Sequence, residues 1–188
     1  MGLDMYLEAE TYVGGWNHGR VEEKARYAQL LELAGLSAFA CDGSPSATVR
    51  VTVAYWRKAN AIHKWFVDHC QEGNDDCRDS YVSRDELAEL VALCQSVLDS
   101  VETVEGRVSE GTTHYADGRI ENHSRLGAVI AQTAIAAAKL PTASGFFFGK
   151  TDYDEDYLDD LRDTIKQLTP LLSEEFPKDY SFHYHASW

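Results

Sequence analysis

The chain has 188 residues, 44% apolar and 11% aromatic, with 31 acidic against 17 basic side chains and a net charge of −14. That content suffices for one well-cored domain and is not that of a disordered tail. The charge argues against direct binding to nucleic-acid phosphates or anionic membrane, both of which need a basic patch.

The opening segment MGLDMYLEAE has neither a basic nor an apolar leader region, and no apolar run nears the ~20 residues that span a bilayer. A cytoplasmic protein is expected. Gly2 does not start a myristoylation signal, because Tyr6 stands where Ser or Thr is needed. Cys41, Cys70, Cys77 and Cys94 are too few for a disulfide framework in a chain this long. Cys70 and Cys77 lack the close C-x-x-C spacing of a zinc knuckle.

Leu3, Met5 and Leu7 alternate with Asp4, Tyr6 and Glu8, the period of a half-buried strand that Gly14-Gly15 breaks. Val21–Ala34 reads as an amphipathic helix, with Ala25, Ala28 and Leu31 inward and Gly35 closing it. CDGSPS (Cys41–Ser46) is a loop by composition. Thr48–Trp56 is the clearest strand, with Val49, Val51, Val53 and Tyr55 on one face. It runs into a helix near Lys58–Cys70 striped by Ala59, Ile62 and Phe66. A polar loop, QEGNDDCRDS, precedes a capping box at Ser83 and Glu86. The helix it opens carries Leu87, Leu90, Val91, Cys94, Val97 and Leu98 on one stripe.

Glu102–Asn122 lacks a sustained period. Gly106–Val108 and Thr112–Tyr115 form strand-like pieces of an exposed hairpin around Ala116-Asp117-Gly118. Ser124 is expected to cap an Ala-rich helix that runs to about Ala138 and stops at Pro141. Phe146–Phe148 reads as a short buried strand. Asp152 or Asp154 begins a long helix with Tyr157, Leu158, Leu161, Ile165 and Leu168 inward, and Pro170 bends or ends it. In the tail, Phe182, Tyr184 and Ala186 alternate with Ser181, His183 and His185 as a last strand. Strands separated by helices, without regular βαβ spacing, predict a single α+β domain over residues 1–188. Its sheet is mainly antiparallel with helices packed on it, and 102–123 is a variable hairpin or loop insertion.

Three constellations carry candidate chemistry. Trp56, Asn60 and His63 share a helical face beside Arg57, and the turn Ser144–Tyr153 (Ser144, Gly145, Asp152, Tyr153) holds aromatics, backbone N–H groups and a carboxylate. Together they suit a small anionic or nucleotide ligand; the bland reading is an ordinary amphipathic helix with a satisfied histidine. Two acidic segments form the second. Glu72–Glu89 holds seven acids against two arginines and Asp152–Asp163 seven against one. Asp75, Asp76, Asp79, Asp154, Glu155, Asp156, Asp159 and Asp160 are its candidate partner-binding residues, with a solvated face as the alternative. Third, His183 and His185 point to one side of a strand, and Asp4 joins them as a metal ligand if the first and last strands pair. No metal is assigned, since convergence of three ligands does not follow from spacing. Gly149-Lys150-Thr151 lacks the glycine arm of a phosphate loop, no cofactor motif is present, and no catalytic residue is assigned.

The blocks MGLDMYL, YWRKANAIHKWFVDHCQEGNDDC and LPTASGFFFGKTDYDEDYLDDL together resemble a family of small proteins common in phages and prophages. The likeness covers the first dozen residues, roughly residues 54–100, and residues 139–172. It implies a phage-type accessory protein in the cytoplasm of a bacterial host. With the charge, it leads to an expected acidic inhibitor of a host protein or defence system, whose basic surface is the partner. The alternatives are a nucleotide- or signalling-molecule-binding protein and a metal-dependent hydrolase using His183, His185, Asp4 or Asp152.

Overall fold

A computed structural model describes residues 2–16, 18–40, 45–145 and 147–188. The chain is α+β, with six strands, β1 (Asp4–Gly14), β2 (Ser46–Arg57), β3 (Ser80–Val82), β4 (Thr103–His114), β5 (Ile120–Ile130) and β6 (Ser181–Ser187). Five helices accompany them: α1 (Val21–Leu33), α2 (Asn60–Cys70), α3 (Arg84–Leu98), α4 (Ala134–Lys139) and α5 (Glu155–Leu168). A four-stranded antiparallel sheet has the order β2-β1-β6-β3, and β4-β5 stands as a separate two-stranded ribbon. No described helix is long and apolar enough to cross a membrane.

Alternation along β1 and β6 decides which face of the sheet is covered. Leu3, Met5, Leu7 and Ala9 are buried together with Phe182, Tyr184 and Ala186, and α2, α3 and α5 pack over them. Residues in between on the same strands stay polar and half-buried, as an antiparallel sheet covered on one side requires. Tyr184 stacks on Phe66 at 4.0 Å, and Trp56 tilts against the same ring from β2.

The capping box forms as expected: Ser83 accepts from the Glu86 N–H, and Glu86 reaches back to the Ser83 N–H. Leu87, Leu90, Cys94 and Val97 are fully buried along α3. Asp154 caps α5 through the Asp156 N–H, and Pro170 turns its end into a single 3-10 turn.

Several expectations are corrected. A bulge between Leu7 and Glu8 of β1 shifts the register of β2, so Ala54 and Trp56 take the inward face and Tyr55 the outward one. Helix α1 forms where expected, but only Tyr27 is buried; Ala25 and Ala28 face solvent. Gly106–Val108 and Thr112–Tyr115 do not pair with each other. Both lie in β4, whose partner β5 extends the hairpin to Ile130. The helix expected from Ser124 is therefore strand up to Ile130, and only Ala134–Lys139 is helical. Cross-strand pairing decides the conformation there, because Leu126 and Val129 each meet a β4 partner. Phe147 has φ +66° and is exposed while Phe148 is buried, which is a turn and not a strand; Phe146 lies outside the described residues, as do 41–44 of the expected CDGSPS loop. Ser80, expected to end the polar loop QEGNDDCRDS, instead opens the edge strand Ser80–Val82, which pairs with β6.

Candidate functional site

The last residue of β2, Arg57, and the first of α2, Asn60, are joined through Lys58, whose backbone sits at φ +61°. A non-glycine residue held in the left-handed region needs enforcement by its surroundings. Next to it, Asn60 is buried at 4% exposure. Its Nδ2 donates to the carbonyls of Phe148 (3.2 Å) and Lys150 (2.8 Å), and its Oδ1 accepts from the Ala143 N–H at 3.0 Å. One side chain thus fixes both arms of the 142–150 loop against α2. Gly149, at φ +90°, lies against Lys58, where an added Cβ would stand 3.2 Å from the lysine Cβ.

The hairpin is pinned to the start of α5. Lys150 Nζ pairs with Asp154 (2.6 Å) and Asp156 (2.7 Å) and donates to the Ser109 carbonyl at 3.0 Å. Arg125 of β5 grips Glu155 at 2.5 Å and Asp156 at 3.2 Å. Between hairpin, loop, β2–α2 junction and α5 lies an open cleft of about 620 Å³. Arg57 and Lys58 stand on one wall, Asp152, Asp159 and Asp160 on another, and Ser109–Gly111 of β4 form a third. Pockets of about 300–1,000 Å³ are the usual size for small-molecule sites.

Asp160 is the distinctive group. Its carboxyl has no hydrogen-bond or ion-pair partner among the described residues. Burial in the α5 wall, reinforced by the charges of Asp156, Asp163, Asp159 and Asp154, holds its pKa at about 7. At neutral pH it exchanges a proton readily and serves as hydrogen-bond donor or acceptor.

Of the expected ligand residues, Arg57, Asn60 and Asp152 line the cleft. Trp56 does not: it is buried, with its indole N–H donating to Thr164 at 3.0 Å. His63 is 1% exposed, with Nδ1 2.7 Å from the Tyr184 hydroxyl and Nε2 2.9 Å from Asp75. Asp75 also accepts from the Trp188 indole at 3.0 Å. With Asp75 ionised, Nε2 carries the proton and Tyr184 donates to Nδ1, which satisfies every member of a core network. Tyr153 packs on Tyr157 and accepts from the Thr142 N–H, a supporting role. Ser144 and Gly145 are exposed and outside the cleft lining.

The acidic residues expected to meet a partner are largely engaged within the molecule. Arg78 pairs with Asp76, Arg50 with Asp79, Lys150 with Asp154, Arg125 with Glu155 and Asp156, and Arg162 with Asp159. Asp75 belongs to the His63 network, which leaves Asp160. Asp4 is no companion of the histidines: it accepts from Tyr55 at 2.5 Å and faces Ser187, whereas His185 lies opposite Tyr6 and His183 opposite Glu8.

Sequence reasoning missed Lys58 and the β4 wall, because neither has a local pattern. It assigned Asp160 to the surface, yet that residue is three after buried Tyr157 and four before buried Thr164, a stripe position readable from helical periodicity.

No protein-family model, curated protein or solved structure matches this chain, so its own geometry carries the functional reading.

Proposed function

We propose that the protein works by binding a small polar ligand in the cleft between the β2–α2 junction, the hairpin and α5. The observation that carries this reading is Asp160, a carboxyl with no partner among the described residues, poised near neutrality in the wall of a cleft of about 620 Å³. Arg57 and Lys58 offer positive charge on the facing wall, while Lys150 is already committed to Asp154 and Asp156. A ligand with an anionic group toward Arg57 and Lys58, and an amine or amide toward Asp160, matches both walls. A nucleotide whose base presents an exocyclic amine belongs to that class.

Thermal-shift screening with nucleotides and small zwitterions tests it. A true ligand at about 100 times its Kd adds ~2.7 kcal/mol of stability, and this gain disappears in Lys58→Met and Asp160→Asn. A panel that shifts nothing, or a shift that both variants retain, removes the reading.

A second reading is a phage-type accessory protein that meets a basic surface on a host protein. It is favoured by Leu33, Leu36 and Phe39, exposed by 86%, 49% and 79% at and just after the end of α1, next to Glu32. Exposed apolar residues close together suit a protein contact. Capture of a host partner that fails both at high salt and in Phe39→Ser supports it; capture indifferent to both counts against it.

A further inference from the structure

The polar face of the sheet, on the side away from the helices, carries a second cluster. Alternation puts Glu8 and Glu10 of β1 on the same side as His183 and His185 of β6. Arg50 reaches them from β2, and Asp79, which precedes β3, arrives from the other edge. One ligand atom each from Glu8, Asp79 and His185 lies within 4.8 Å of the others.

His185 Nδ1 is 3.4 Å from Asp79 Oδ1 and 3.8 Å from Glu8 Oε2. That nitrogen is shielded from solvent and makes no hydrogen bond, an arrangement that calls for an explanation. Three donors at about 2.0–2.2 Å from a tetrahedral ion stand roughly 3.3–3.6 Å apart, close to the spacing observed. The ring is already oriented, stacked on Tyr6 at 4.9 Å and 17°. Arg50 engages Glu10 at 2.7 Å, Glu8 at 3.2 Å and the other oxygen of Asp79, so Asp79 Oδ1 remains turned to His185. Three carboxylates against one guanidinium leave an uncompensated negative charge for a cation to neutralise.

We propose that Glu8, Asp79 and His185 form a binding site for one divalent transition-metal ion, with a fourth position open to solvent. The imidazole selects an ion of the Zn²⁺ type over Mg²⁺, which prefers an all-oxygen shell. Arg50 orients both carboxylates as an outer-shell partner does, bonding Asp79 through Oδ2 and Glu8 through the same Oε2 that faces His185. His183 stands apart from the trio, hydrogen-bonded to Ser181 at 3.2 Å.

The test uses the full chain without a purification tag, titrated with Zn²⁺, Co²⁺ and Mg²⁺ in turn. The expected result is one tightly bound Zn²⁺ per chain, visible d–d bands of four-coordinate Co²⁺, and no displacement by Mg²⁺. His185→Ala and Asp79→Asn each weaken Zn²⁺ binding by about tenfold or more, while His183→Ala stays within roughly twofold. Circular dichroism confirms that each variant is folded; should His185→Ala unfold, the near-isosteric Asp79→Asn decides. Absence of stoichiometric Zn²⁺ binding, or binding that Asp79→Asn leaves unchanged, overturns the proposal.

Discussion

Asp160 shows how one position on a helix acquires chemistry. The stripe that buries Tyr157, Leu161 and Thr164 carries a half-buried carboxyl into the wall of the cleft, where four other acids lie near. The unfolded carboxyl titrates near 3.8 and the folded one at about 7. Between those values the native chain holds a proton that the unfolded chain has released. The stabilisation from the neutral acid is therefore complete below about pH 4 and is lost as pH rises through 7, a change on the order of 2–4 kcal/mol. Asp160→Asn, which stays neutral, should melt above the wild type at pH 8 and converge with it near pH 4. An equal difference at both pH values would contradict the assignment. The thiols of half-buried Cys70 and buried Cys94 offer no comparable reactivity, since burial pushes both up to about 12.

Among the elements, the 142–150 loop is held at three backbone positions by one side chain, Asn60. Asn60→Ala removes two donors and one acceptor from buried backbone partners, and should cost about 2–4 kcal/mol by chemical denaturation while loosening the cleft wall. A loss below ~0.5 kcal/mol would mean that the loop holds itself. This contact was invisible in the sequence, because it joins residues more than eighty positions apart. Elements fixed by local patterns were legible: β1, α3 with its capping box, α5 and β6 all follow from periodicity and caps. The Ala-rich part of the expected helix does form α4, Ala134–Lys139, whereas residues 124–130, with a single alanine, are strand through pairing with β4, a long-range partner that no local pattern shows. The bulge in β2 was equally hidden, and it alone decides that Trp56 becomes a core residue and not a ligand contact.

At the scale of the whole molecule, charge is distributed differently from its distribution along the chain. The two acidic segments fold so that their carboxylates meet Arg50, Arg78, Arg125, Lys150 and Arg162; Arg50, Arg125 and Lys150 tie separate segments together, while Arg78 and Arg162 pair locally within a loop and within α5. Such exposed or part-exposed pairs contribute little stability singly, because solvent screens them. Their consequence is positional: Lys150 and Arg125 fasten the hairpin over α5 and so complete the cleft. The raised pKa of Asp160 comes from burial first and then from the neighbouring acids of α5 and its cap, Asp156, Asp163, Asp159 and Asp154. The most direct measurement is a pH titration of the Asp160 carboxyl carbon by NMR, assigned by comparison with Asp160→Asn. The account predicts a midpoint near 7 that moves when a ligand fills the cleft; a midpoint near the ordinary aspartate value of about 3.9, unmoved by every ligand tried, would contradict it.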